Sequence, residues 1–187
     1  MRYTTIDTPI GELLLAGDGR ALQHLSMQHG RRPLRLSPAW QRDDETFAPV
    51  VEQLTEYFDG TRQTFDVELA LVGNPFELRV WAQLAQIPYG ETVSYGEIAR
   101  RMHQPDAALA VGLANGRNPV AVIVPCHRVI GSDGSLTGYG GGLERKRLLL
   151  DLESGVLPLL SASAHSFDQA SNGASSSSGA RPRSLAR

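Results

Sequence analysis

The sequence predicts an α+β protein: a small β-sheet-plus-helix unit at the amino terminus, then a mainly helical unit that contains a helix-turn-helix. Three observations predict it. Residues 1–26 carry strand patterning with hairpin punctuation, apolar positions in 44–58 and again from 75 onward recur at helical spacing, and Gly73-Asn74-Pro75 separates the two patterns. The expected divisions are an α+β unit over 1–73, a helix-turn-helix unit over 74–158 and a tail over 159–187. With 187 residues, 41% of them hydrophobic, the chain has enough apolar material for such cores.

Each element has its own signal. Thr4 to Ile6, then Glu12 to Ala16 after Gly11, then Ala21 to Ser26 after the Asp18-Gly19 hairpin signal, read as a β-meander. Residues 27–43 hold Gly30, Pro33, Pro38, Arg31, Arg32 and Arg35 without periodicity and read as a loop. Phe47, Val50, Val51, Leu54, Tyr57 and Phe58 predict a helix from Asp44 to Phe58, ended by Gly60. Phe65 to Leu69 alternates like one more strand. Pro75 suits the first turn of a helix reaching Gln86, with Phe76, Val80, Trp81 and Leu84 on one face.

Ser94 is placed to cap a helix from Tyr95 to Met102, with Glu97 completing a capping box. Beyond a break at His103-Gln104-Pro105, a helix from about Asp106 to Asn115 is rich in small residues, among them Ala108, Ala110 and Gly112. It is slim enough to approach a nucleic-acid groove closely. Val122 to Val124 reads as a buried strand and Leu136 to Gly142 as a loop whose backbone can come near a ligand. Leu143 to Glu153 reads as a helix with Leu143, Lys146, Leu149, Leu150 and Glu153 close to one side. The nine serines of residues 161–187 and the near absence of large apolar groups predict a disordered tail.

The net charge of −2 hides an uneven distribution. Residues 1–74 hold 7 Lys+Arg against 11 Asp+Glu, whereas 100–130 carries Arg100, Arg101, Arg117 and Arg128 against Asp106 alone. Such a stretch is a candidate phosphate-binding face, and an ordinary solvated surface accounts for it as well. One cysteine excludes an internal disulfide, and Met1-Arg2-Tyr3-Thr4-Thr5 lacks a signal-peptide pattern, so the expected location is the cytoplasm. No apolar run approaches the ~18 residues of a membrane span. A single Cys with scattered His24, His29, His103 and His165 offers no metal-ligand pattern.

That cysteine, Cys126, stands in Val122-Ile123-Val124-Pro125-Cys126-His127-Arg128-Val129-Ile130. A cationic neighbour and a potential base beside a thiol are ingredients for a lowered pKa and a nucleophile. A buried structural cysteine is the alternative that composition leaves open. The phrase Pro125-Cys126-His127-Arg128-Val129 resembles the alkyl-acceptor motif of the O6-alkylguanine-DNA alkyltransferases. In order and spacing, so do Ile87-Pro88-Tyr89-Gly90, Ser94-Tyr95-Gly96-Glu97, Ala110-Val111-Gly112, Asn118-Pro119, Gly138-Tyr139 and Glu153.

The resemblance implies a single-turnover methylated-DNA–protein-cysteine methyltransferase. It would take an alkyl group from O6 of guanine in double-stranded DNA irreversibly onto Cys126, with no metal or cofactor, as a monomer in solution. Whether O4 of thymine is also a target and whether binding to DNA is cooperative stay open. By the same resemblance Glu153 orients His127, which draws the Cys126 proton through a water, and Asn118 braces the helix-turn-helix against the cysteine segment. Tyr95 donates to the guanine N3, the Gly140 N–H faces O6, and the carbonyls of Cys126 and Val129 accept from the exocyclic amine, with Tyr139 completing the base site. Ala108, Leu109, Gly112, Arg117 and Arg128 form the DNA face. The chain departs from the family at Leu109, where an arginine usually enters the duplex. A leucine can wedge between bases but brings no charge, which implies weaker duplex binding or repair. Two rival readings are a lesion-binding protein without transfer, a group that lacks the acceptor cysteine, and a helix-turn-helix regulator with a structural cysteine.

Overall fold

The computed structural model describes residues 1–30 and 33–156. The predicted tail therefore lies outside the described residues, as do Arg31 and Arg32. Strands β1 (Arg2–Ile6), β2 (Leu13–Gly17) and β3 (Leu22–Met27) form the expected antiparallel meander, with Thr4 opposite Leu15 and Leu15 opposite Leu25. The central strand β2 is buried at all five positions, which is why Leu13, Leu14, Leu15 and Ala16 run as an unbroken apolar stretch. A two-residue strand within the presumed loop, β4 (Gln41–Arg42), pairs parallel to β1 and gives the order β3-β2-β1-β4.

Helix α1 (Asp44–Phe58) has the predicted bounds and buries Phe47, Leu54, Tyr57 and Phe58. Asp43 caps it by accepting from the Thr46 N–H at 3.1 Å, and Arg2 pairs with Asp43 at 2.8 Å, tying the helix start to β1. The strand expected over 65–69 is reduced to one bridge between Leu22 and Leu69. The Gln53 carboxamide occupies the backbone of Asp66 on both sides, accepting from its N–H at 2.8 Å and donating to its carbonyl at 3.0 Å. A side chain thus replaces the ladder that a strand would need.

Helix α2 (Pro75–Leu84) opens on a complete capping box made by Asn74 and Glu77, a signal the sequence reading placed elsewhere. At Ser94 the box is half formed. Its hydroxyl accepts from the Glu97 N–H at 3.1 Å, but the Glu97 carboxylate turns to Arg100 and Arg101. Helix α3 (Tyr95–Arg101) follows the short strand β5 (Val93–Ser94), and a 3₁₀ turn over Pro105–Ala107 leads into α4 (Ala108–Asn115). The Trp81 indole donates to the Ala114 carbonyl at 2.9 Å and locks α2 against α4.

The buried strand expected at Val122–Val124 is buried but coiled. Val120, Val122 and Val124 are at most 1% exposed, yet Val122 sits at φ +72°, a strained conformation for a β-branched residue. Asn118 makes this possible, accepting from the Val120 N–H at 3.0 Å and donating to the Val124 carbonyl at 2.7 Å. A second 3₁₀ turn, Cys126–Arg128, leads into β6 (Val129–Ile130), which pairs parallel with β5. Helix α5 (Leu143–Glu153) closes the described chain. One apolar cluster joins the halves: Leu15, Leu25 and Tyr57 share it with Trp81, Val111 and Leu149.

Candidate acceptor-cysteine site

Cys126 begins its 3₁₀ turn directly after Pro125 and is 5% exposed. Burial pushes its thiol above the ordinary value, against a hydrogen bond from Asn118 and the positive charge of Lys146. The lowered pKa expected from the neighbouring His127 and Arg128 is therefore reversed, because neither directs a free positive charge at the sulfur.

Both are turned toward Glu153. Its carboxylate is fully buried and accepts five hydrogen bonds: from His127 Nε2 at 2.8 Å, Arg128 Nε and Nη2 at 2.8 Å each, Tyr57 Oη at 2.6 Å and the Gly90 N–H at 3.3 Å. Burial alone would raise this carboxyl; the bonds from His127 and Arg128 outweigh it and hold it at about 2. An ionised carboxylate can only accept, so Nε2 of His127 carries its hydrogen and Nδ1 is left as the basic nitrogen. Nδ1 is buried without a partner among the described residues, and burial pulls the imidazole's pKa down, so it is neutral at pH 7.

Arg128 was expected on the DNA face. It is instead 6% exposed, with its remaining arm donating to the Ile87 carbonyl at 2.6 Å and its guanidinium 5.8 Å from the Tyr89 ring centroid. A guanidinium so committed is not available to phosphate. Arg117 is exposed but pairs with Glu77 at 2.9 Å, and Arg100 and Arg101 share Glu97. Every arginine of the presumed basic stretch thus has a carboxylate partner. The outer face of α4 is uncharged, with Leu109 81% and Leu113 59% exposed beside Ala108 and Gly112.

Tyr95 starts α3 and its ring lies against α4: a Cβ at Gly112 would be 3.7 Å from it. Burial raises the Tyr95 phenol, whose oxygen accepts from Thr137 at 3.4 Å. A cavity of about 340 Å³ is lined by Cys126, Asn115, Asn118, Tyr139 and Gly140, and on the amino-terminal side by β3 and Arg35; Tyr95 and Val129 are not in its lining. The Tyr139 hydroxyl is buried without a partner among the described residues. The Cys126 carbonyl accepts from the Val129 N–H and from Asn115 Nδ2, the latter at 3.3 Å.

Three contributors escaped the sequence reading. Tyr57 was assigned to the core of α1, and no local pattern links it to Glu153, 96 positions away. Asn115 was seen only as a helix end. Lys146 was placed on the inner side of α5, but its burial was unforeseen: it is fully buried and its ammonium donates to the carbonyls of Val129 at 2.6 Å and Thr137 at 2.8 Å. Burial lowers its pKa to about 8. A lysine on the apolar side of an amphipathic helix was the available signal.

A thiol at a cavity wall, backed by an imidazole that a carboxylate orients, defines a protein with a cysteine nucleophile, here next to an exposed two-helix motif. Residues 1–71 match the family model described as "6-O-methylguanine DNA methyltransferase, ribonuclease-like domain", and residues 75–155 match its "DNA binding domain". The chain is 55% identical over 159 residues to the methylated-DNA–protein-cysteine methyltransferase of Mycobacterium tuberculosis, covering 84% of this chain and 95% of that one. It is 48% identical over 153 residues to that of Methanosarcina acetivorans, covering 82% and 98%. The crystal structure of Mycobacterium tuberculosis OGT in complex with DNA superposes with a TM-score of 0.79 at 54% identity, over 84% of this chain and 96% of that one. The chain belongs to the 6-O-methylguanine DNA methyltransferase family.

Proposed function

We propose that this chain repairs DNA by moving a methyl or other small alkyl group from O6 of guanine to Sγ of Cys126. The observation that carries the reading is the free thiol of Cys126 directly before His127, whose imidazole the fully buried Glu153 carboxylate orients. The target atom lies inside the duplex, so the nucleotide is flipped into the site. The C–S bond forms as the C–O6 bond breaks, and the electron pair goes to the guanine. Cys126 gives up its proton through a water to Nδ1 of neutral His127, and Glu153 stabilises the resulting imidazolium. A thioether does not hydrolyse, so each molecule acts once.

The departing guanine gathers negative charge, which the Gly140 N–H meets at O6 and the Tyr95 hydroxyl at N3. The Val129 carbonyl selects the exocyclic amine through the lone pair that Lys146 leaves free, and the Cys126 carbonyl joins it by giving up its longer bond from Asn115. Asn118 fixes the turn that presents the thiol. Residues 74–158 carry this chemistry and 1–73 support it. Leu109, with Leu113 one turn on, acts as an apolar wedge at the flipped site, so duplex binding relies little on charge. The protein works as a monomer in the cytoplasm, where a lone thiol stays reduced.

Intact-mass measurement after incubation with O6-methylguanine DNA tests the reading. A gain of about 14 Da, absent in Cys126→Ser, is the expected result. Binding without a mass change would instead identify a lesion-binding protein or a regulator.

A further inference from the structure

The loop that presents Gly140 is glycine-rich: Gly138, Gly140, Gly141 and Gly142 fall within five residues. A segment of this composition loses much backbone freedom when ordered, yet a donor aimed at a developing charge helps only if it is set in place beforehand. Something outside the loop must hold it. The described contacts single out Arg145, in the first turn of α5.

Its guanidinium forms no salt bridge among the described residues. It donates instead to main-chain carbonyls of three separate segments: Nη1 to Gly141 at 2.9 Å and His29 at 3.4 Å, and Nε to Ile10 at 2.5 Å. Ile10 and His29 lie 135 and 116 positions away, in the amino-terminal unit. Gly11, at φ +94°, leaves room for the group, since a Cβ there would lie 3.3 Å from Nη2. The same unit also touches the loop directly. A Cβ on Gly30 would lie 2.9 Å from the Gly140 carbonyl oxygen, and one on Gly141 would collide with Met27 Sδ.

We propose that Arg145 is a positioning residue for alkyl transfer: it straps the Gly138–Gly142 loop to the amino-terminal unit and thereby holds the Gly140 N–H where the leaving O6 needs it. The inference rests on the alkyl-transfer reading and assigns the amino-terminal unit a part in the reaction. Arg145 acts through the loop, not on the sulfur. Its loss therefore slows transfer from guanine but spares thiol reactions whose leaving group needs no donor.

The experiment uses the full chain and two electrophiles. One is O6-methylguanine in a single-stranded oligonucleotide at saturation. The other is iodoacetamide, which forms a C–S bond on Cys126 as iodide departs and the thiol proton goes to solvent. Arg145→Gln should slow methyl transfer about tenfold or more, by the reasoning that removing one such donor outright costs about 10²–10³. Oligonucleotide affinity, thermal midpoint and iodoacetamide rate should stay within about twofold or a few degrees. Arg145→Lys, which keeps a donor and the charge, should recover part of the loss. Gly30→Ala, which pushes the Gly140 carbonyl while keeping the Arg145 side chain, should reproduce the selective slowing even if Arg145→Gln folds poorly.

Equal methyl-transfer rates in Arg145→Gln, or a parallel loss of iodoacetamide reactivity in both Arg145→Gln and Gly30→Ala, would overturn the proposal. Failure of the unsubstituted chain to accept methyl at all would instead refute the alkyl-transfer reading beneath it.

Discussion

Arg128→Met isolates what the buried ion pair contributes. The substitution keeps an apolar stem and deletes the fork that holds Glu153. Two bonds of 2.8 Å to the carboxylate disappear, as do the 2.6 Å bond to the Ile87 carbonyl and the guanidinium's position 5.8 Å from the Tyr89 ring. Removing one partner of a buried pair costs about 3–5 kcal/mol. The orphaned carbonyl and lost ring contact add about 1 kcal/mol each, while the surviving bonds from Tyr57, His127 and Gly90 offset part of the charge penalty. A net loss of about 4 kcal/mol is expected, a large fraction of the stability of a domain worth about 5–15 kcal/mol.

Urea unfolding measures it as a lower midpoint at unchanged m-value. Because the pair is coupled, Arg128→Met with Glu153→Gln should be less damaging than the sum of the single changes, by about 2 kcal/mol. The pH dependence has a definite sign. The folded Glu153 carboxyl sits at about 2, below its ordinary 4.5, so its contribution is complete above 4.5 and is lost as pH falls from there through 2. That shift corresponds to about 3 kcal/mol. Arg128→Met raises the folded carboxyl, so the two proteins should converge in stability toward pH 2. The salt dependence of DNA affinity should not change, since a buried guanidinium releases no counterions. A loss under about 1 kcal/mol at neutral pH, or a salt slope shallower by about one, would refute this account of Arg128.

The uncharged face of α4 makes a second prediction: Leu109→Arg should steepen the slope of log affinity against log salt by about 0.9 and speed duplex repair relative to single strands. Unchanged slope and equal duplex rates would remove the wedge assignment. For the thiol, burial sets a raised pKa and Lys146 opposes it, so alkylation of Cys126 by iodoacetamide should accelerate as pH rises through neutral. Below about 8, where the ammonium is charged, Lys146→Met should react more slowly than the unsubstituted protein; equal or faster alkylation would contradict the charge effect.

Local order was legible where a pattern spans a few residues. Helical spacing located α1 and α5, Pro75 the start of α2, and the Asp18-Gly19 turn the meander. The coil at 120–124 was not legible, because β-branched residues suit a strand and a buried coil equally until a partner for the backbone is known. Here that partner is the Asn118 carboxamide. Arg128 misled for a related reason: charge counted along the chain says nothing of which carboxylate folds beneath it.

The amino-acid sequence by itself determined the chemistry: a lone thiol followed by a histidine, a glutamate on the inner side of the last helix, and a slim, uncharged helix in a two-helix motif. Those are properties of residue type and short spacing, whereas the lack of available charge around that helix emerged only when each nearby arginine was found paired with a carboxylate. Tertiary structure decided what each group experiences. It brought Tyr57 and Arg128 onto Glu153, buried Lys146 against two carbonyls, raised the Cys126 thiol and set Arg145 across three segments. Burial and the directions of hydrogen bonds arise only when segments far apart in the chain pack together, so no local pattern encodes them.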